Sequence, residues 1–124
     1  MQFPKADFGA DLPIDGIGAG FFRVDGRVWR GPILIYAQAV CDWAGMTDAA
    51  AIARLAGKVD LALIGTGATL APVPQAVRLA LSEAGLMYDA MATASAARHY
   101  NYLLAEGRRV AAALLPLPAA EATA

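Results

Sequence analysis

The chain has 124 residues, and ten Lys plus Arg against eleven Asp plus Glu leave a net charge of −1. That is about one domain's length, enough to bury roughly two thirds of the unfolded surface without metal or disulfide support. The charge balance supplies no long-range drive toward nucleic acid or anionic lipid. The single cysteine, Cys41, excludes an internal disulfide and a cysteine-built metal site, and the single histidine, His99, leaves one ring for any Ser-His-Asp chemistry.

Hydrophobic residues make up 58% of the chain and charged ones 17%, against about 45–50% and 25% in ordinary soluble domains. Thirty alanines account for part of the excess, and only Lys5 and Lys58 are lysines. Such a composition fits a chain that covers surface with a partner or a second copy. It equally fits an alanine-rich chain with ordinary surfaces. The longest stretch free of acids and bases, Leu61 to Val77, holds Gly65, Gly67, Pro72 and Pro74 and cannot be one spanning helix. The opening MQFPKADFGADLPID lacks the apolar core of a leader. The expectation is a cytoplasmic chain with no direct membrane insertion, forming a single domain over 1–124 with its core at 12–116 and a frayed tail at 117–124.

The first third reads as β structure. Glycines punctuate Ile14 to Gly20, and Phe21-Phe22-Arg23-Val24 runs into Asp25-Gly26, a strong two-residue hairpin signal. Arg27-Val28-Trp29-Arg30 alternates as a half-buried return strand. After Gly31-Pro32, a strand beginning at Ile33 is predicted to run on to Val40, followed by a loop carrying Cys41, Asp42 and Trp43. Thr47 is the expected N-cap of a helix carrying Ile52 and Leu55 and stopped by Gly57. Val59 to Ile64 has the pattern of a strand buried on both faces. Pro74 to Ala84 reads as a helix with Val77, Leu81 and Leu79 inward, ended by Gly85. Leu86 to Met91 is the next strand, Thr93 the cap of a helix through Glu106, and Arg108 to Leu115 the last strand before Pro116 and Pro118. The second half is thus strand–helix–strand–helix–strand, the spacing of parallel crossovers, joined to an antiparallel first half.

Five groupings could carry chemistry. Gly16-Ile17-Gly18-Ala19-Gly20 is followed by a strand rather than a helix, so it fits tight turns or a bulge better than a nucleotide loop. Gly65-Thr66-Gly67 follows the buried strand, at the sheet end where open α/β folds bind ligands. It reads either as a small-anion pocket or as a structural turn. Arg98, Asn101 and Tyr102 share one helical stripe. Arg98 could grip a carboxylate or phosphate, or pair with Asp89 or Glu106 while Asn101 satisfies buried backbone. Glu106, Arg108 and Arg109 at the helix exit read as a cap and salt-bridge cluster. Cys41 and His99 could in principle act as nucleophile and base, but a lone cysteine in an apolar strand is normally inert packing, and His99 is expected to be exposed. Trp29 and Trp43 read as core or interface anchors.

Three stretches carry a family resemblance: Gly16-x-Gly18-x-Gly20-Phe21-Phe22-Arg23-Val24-Asp25-Gly26, then Leu63-Ile-Gly-Thr-Gly67, then a long run from Met91 through Thr93, Arg98, Tyr100, Asn101, Glu106 and Arg108 to Val110. Over residues 12 to 116 the chain resembles the small α/β family known as domain of unknown function 498, whose eukaryotic members are the mitochondrial complex I assembly factor 3 proteins. Ala92, Ala94, Ala97, His99 and Gly31-Pro32 depart from the family's pattern; Ala92 and Ala97 remove an acid and a thiol. The resemblance implies a three-layered α/β fold with a hammerhead-like hairpin and, from the mitochondrial members, help in assembling the peripheral arm of NADH:ubiquinone oxidoreductase. It marks Met91, Tyr100, Glu106 and Arg108 as structural motif positions and suggests a bacterial or archaeal member. The resulting expectation is a non-catalytic assembly or interaction factor that binds another protein or itself, with no cofactor, no metal and no catalytic residues. The alternative is a small-anion or metabolite-binding protein, or an enzyme, using Gly65, Thr66, Gly67, Thr93, Arg98 and Asn101.

Overall fold

The structure is a computed structural model that describes residues 1–3 and 8–118. Strands β1 (Gly16–Gly18), β2 (Phe21–Val24) and β3 (Arg27–Arg30) form an antiparallel sheet in that order. The β2–β3 turn is the predicted hairpin, with Asp25 at φ 53° and Gly26 at φ 75°. Both values fit a type I′ turn, whose twist matches that of the flanking strands.

The second sheet contains β4 (Ile33–Tyr36), β5 (Ala39–Asp42), β6 (Leu61–Gly65), β7 (Met87–Met91) and β8 (Val110–Leu114), in the order β5-β4-β8-β6-β7. β4 pairs antiparallel with β5 and β8, whereas β6 runs parallel to both β8 and β7. The strand expected from Ile33 to Val40 is therefore two strands, with a turn at Ala37 and Gln38. Ala37 sits at φ 49°, and its carbonyl accepts from the Leu12 amide at 2.7 Å. That tertiary bond helps hold a non-glycine residue in a conformation its own chemistry disfavours.

Helix α1 (Ala49–Ala53) is capped by Asp48, whose Oδ1 accepts from the Ala51 amide at 3.2 Å. The expected cap, Thr47, instead closes a short 3-10 turn and donates to the Ala44 carbonyl. Helix α2 (Gln75–Ala84) ends at Gly85, φ 73°, with the Leu86 amide closing back onto the Leu81 carbonyl. Leu79 was expected inward, yet it is 51% exposed. Val77 and Leu81 are one helical turn apart and hold the buried face, which puts Leu79 across the axis from them. Helix α3 (Thr93–Ala105) connects β7 to β8 by passing over β6 and β8.

The five-stranded sheet is apolar on both faces, and residue parity decides which side each residue serves. Ile33, Ile35, Leu63, Val110, Ala112 and Leu114 face α3 and the small sheet, whose Ile17, Phe22 and Val24 close that core together with Ile14. Leu34, Ala62, Ile64, Ala111 and Ala113 face α1 and α2, packing with Ile52, Leu55, Val77 and Leu81. The three consecutive alanines of β8, all fully buried, keep the central strand thin. Each large side chain closed away, Phe22 or Ile35 for example, contributes about 1.5–3 kcal/mol.

Candidate functional site

Gly65, Thr66, Gly67 and Thr93 come together at the carboxyl ends of the parallel strands. Thr93 was expected to cap α3, but the N-cap is Ala92 and no side chain caps the helix. Thr93 is fully buried; its hydroxyl donates to the Leu115 carbonyl at 2.7 Å and accepts from the Gly67 amide at 2.9 Å. The Thr93 amide donates to the Gly67 carbonyl at 2.8 Å, and the Leu115 amide donates to the Gly65 carbonyl at 3.0 Å. One buried hydroxyl thus ties the ends of β6 and β8 to the start of α3.

Both glycines are explained locally. A Cβ on Gly65 would stand 2.8 Å from Thr93 Oγ1, 2.8 Å from Leu114 Cδ2 and 3.0 Å from the Thr93 Cα. Gly67 has open space around it but lies at φ 104°, where an L side chain is strained. Thr66 donates its amide to the Met91 carbonyl at 2.9 Å, and its hydroxyl accepts from the Ala71 amide at 3.0 Å while lying 2.8 Å from the Thr69 carbonyl. The amides of Thr66 and Gly67, two donors on which the anion reading relied, are spent on Met91 and Thr93.

Arg98 does not join this group. Its guanidinium lies 3.4 Å from the Met1 sulfur and 5.8 Å from the centre of the Phe3 ring, on the exposed side of α3 beside His99 and Tyr102. The expected pairing with Asp89 or Glu106 is absent among the described residues; the arginine instead fastens the Met1–Phe3 segment, which bonds along β1. Asn101, expected on the same polar stripe, is buried. Its Oδ1 accepts from the Ile14 amide and its Nδ2 donates to the Ile14 carbonyl, both at 2.8 Å. Its alternative reading, as a side chain satisfying buried backbone, is the observed one. One residue earlier, the Tyr100 hydroxyl donates to the Leu12 carbonyl at 2.9 Å, and burial pushes its phenol well above the usual range.

At the exit of α3, Glu106 is the C-cap and forms no ion pair among the described residues. Arg109 pairs instead with Asp60 at 2.7 Å, and this hydrogen bond holds the Asp60 carboxyl below its ordinary value. Arg108, Lys58, Asp11 and Tyr36 line a cleft of about 190 Å³ there. Cys41 and Asp42, expected in a loop, belong to edge strand β5, where Cys41 is exposed rather than packed inside an apolar strand. Partial burial, then Asp42, raises its thiol, which disfavours the reactive thiolate. His99 is exposed, and its ring nitrogen lies 3.3 Å from the Ser95 carbonyl, with no bond to Cys41. Trp43 is buried and donates from Nε1 to the Asp48 carbonyl at 3.0 Å. Among the described residues no cluster of His, Cys, Asp and Glu could hold a metal, and no helix is long and apolar enough to cross a membrane.

This is a mixed α/β protein whose glycine loop is closed by its own hydroxyls and whose α3 bolts two sheets together. It belongs to the family described as protein of unknown function (DUF498/DUF598), which it matches over residues 14–115. An uncharacterized protein of Rhodobacter capsulatus is 56% identical over 117 residues, 94% of each chain. A solved structure described as an outer membrane protein from Bartonella henselae superposes with a TM-score of 0.78 at 33% identity, covering 87% of this chain and 97% of that one. At greater distance, NADH dehydrogenase [ubiquinone] 1 alpha subcomplex assembly factor 3 of Rattus norvegicus is 26% identical over 130 residues, 99% of this chain and 68% of its own length.

Proposed function

We propose that this chain is a non-catalytic interaction factor of the assembly type, which works in the cytoplasm by holding another protein. The observation that carries the reading is the similarity to the rat assembly factor, which extends over 99% of this chain rather than over one motif. By analogy, its client is a subunit of a respiratory complex during assembly. Self-association is the simplest competing use of the same surfaces. The site geometry supports an interaction role over the small-ligand alternative, because the Thr66 and Gly67 amides are already bonded and Arg98 lies elsewhere.

The test is affinity capture of the tagged full chain from extract of its own cells, with mass-spectrometric identification of what is retained and light scattering for its own oligomeric state. Retention of a respiratory-complex subunit at defined stoichiometry is expected. Recovery of the bait alone from extracts assembling the complex, whether monomeric or self-associated, would refute the proposal.

A further inference from the structure

The outer face of the small sheet has a composition that the fold does not require. Cross-strand register sets Phe21 opposite Arg30 and Arg23 opposite Val28, so these four side chains share one face. On the adjoining strand, Gly16 pairs with Arg23 and Gly18 with Phe21, leaving that part of the face without side chains. The Phe21 ring uses the gap: a Cβ on Gly18 would fall 2.2 Å from two of its ring carbons. An aromatic ring laid over a strand glycine protects the backbone and fixes the ring.

The fixed ring in turn seats two cations. The guanidinium carbons of Arg23 and Arg30 lie 6.0 and 5.8 Å from its centre; Arg27 belongs to the other face, where it stacks at 5.5 Å on Trp29. Neither Arg23 nor Arg30 forms an ion pair among the described residues, where the Arg109–Asp60 bridge is the ion pair found. The nearby Asp15 carboxylate accepts the Asp25 amide at the hairpin end. Two like charges set side by side on one face, with no ion-paired acid among the described residues and oriented by one ring rather than left to solvent, suit recognition of an anion.

We infer that this face is the docking site for a short acidic segment of a partner protein, whose closely spaced carboxylates pair with Arg23 and Arg30. The inference rests on the interaction reading above and names its surface. Carboxylates are favoured over nucleic acid on two counts. Single strands bind by stacking bases on open aromatic faces, and here the Phe21 face is occupied by guanidiniums. A chain of net charge −1 also lacks the extended basic track that polyphosphate binding uses.

The experiment titrates the isotopically labelled full chain with a hexaglutamate peptide, and separately with a thymidine oligonucleotide of matched length, while following backbone amide shifts. Saturable shifts at residues 21–30 with hexaglutamate, weakening as salt rises, are expected. The Arg23→Gln/Arg30→Gln variant should lose affinity by about tenfold or more. Phe21→Leu keeps every charge but removes the seat, and should weaken binding by about threefold. The charge-matched control Arg54→Gln/Lys58→Gln should bind as the natural chain does. Melting curves for each variant separate lost docking from lost fold. Absence of saturable shifts, equal weakening in the control, or tighter binding of the oligonucleotide would overturn the inference. A captured client that the Arg23→Gln/Arg30→Gln variant still retains would sink this surface alone and leave the interaction reading standing.

Discussion

Replacing Asn101 by Ala removes the one side chain that satisfies both main-chain groups of Ile14. Ile14 is 1% exposed and Asn101 8%, so water cannot easily take over either bond. An unsatisfied buried donor or acceptor costs about 1–3 kcal/mol, which puts the pair at about 2–6 kcal/mol. That is a large share of a stability of about 5–15 kcal/mol, and for a chain of this length it corresponds to a fall in Tm of roughly 8–24 °C. Urea denaturation with an unchanged m-value, alongside thermal melts, measures it. The neighbour Tyr102 is 64% exposed, so Tyr102→Ala supplies the background. Asn101→Asp adds a sharper arm. Its carboxylate can still accept from the Ile14 amide but turns a second oxygen on the Ile14 carbonyl, a contact relieved when the acid is protonated. Its deficit relative to the natural chain should therefore shrink on acidification. If Asn101→Ala melts within about 2 °C of Tyr102→Ala, the clamp is energetically idle and the reasoning fails.

Gly65→Ala and Gly67→Ala should both destabilise, for different reasons. The first drives a methyl into Thr93 and Leu114, at about 1–3 kcal/mol; the second meets open space and pays only for its positive φ, about 1 kcal/mol. Equal losses in urea melts would contradict this assignment. Because the Thr66 and Gly67 amides are bonded internally, phosphate should raise Tm only gradually and without saturation, in the natural chain and in Gly67→Ala alike; a saturating low-millimolar rise would restore an anion site. Tyr100 is held neutral by burial, with its folded pKa above the unfolded value of about 10. Its contribution is complete below that value and is lost as pH rises through the folded pKa. Tyr100→Phe gives up the bond to Leu12 but should flatten the loss of stability above pH 10, and melts in alkaline buffer that parallel those of the natural chain would refute this.

What could be read from the sequence was what neighbouring residues decide. Asp25-Gly26 announces its turn because the two residues that need positive φ are the two that tolerate it. Glycines after Ala84 and Glu106 stop helices by the same local rule, and the unbroken apolar run from Leu61 to Ile64 marks a strand buried on both faces. The turn at Ala37 carried no such mark, since an alanine held at positive φ depends on a bond from Leu12, far away in the chain. Thr93 was legible as a residue that matters, yet its partners lie 22 and 26 positions away, and nothing local distinguishes a buried knot from a cap. Asn101 was legible only as a choice between roles, because the Ile14 backbone it serves is 87 residues distant.

These long-range bonds also sort the candidate residues by what they leave available. Tyr100 and Asn101 hold the Leu12–Ile14 segment against α3, and Arg98 fastens Met1–Phe3 from the same helix. The helix that carries the longest family motif is therefore occupied in joining the small sheet to the large one. Thr93 and the Gly65–Gly67 loop are occupied likewise, at the far end of the strands. Polar groups committed to such bonds cannot also serve a ligand without giving up stability of the size expected for Asn101→Ala. The polar chemistry still free to meet another molecule has to lie outside these knots. On the small sheet, Arg23 and Arg30 are in that position: they are oriented by Phe21 and paired with no acid among the described residues. The bolts of α3 and the guanidiniums on the hairpin thus have separate duties, so losing the Arg23 and Arg30 charges should cost binding while leaving the joint between the sheets intact.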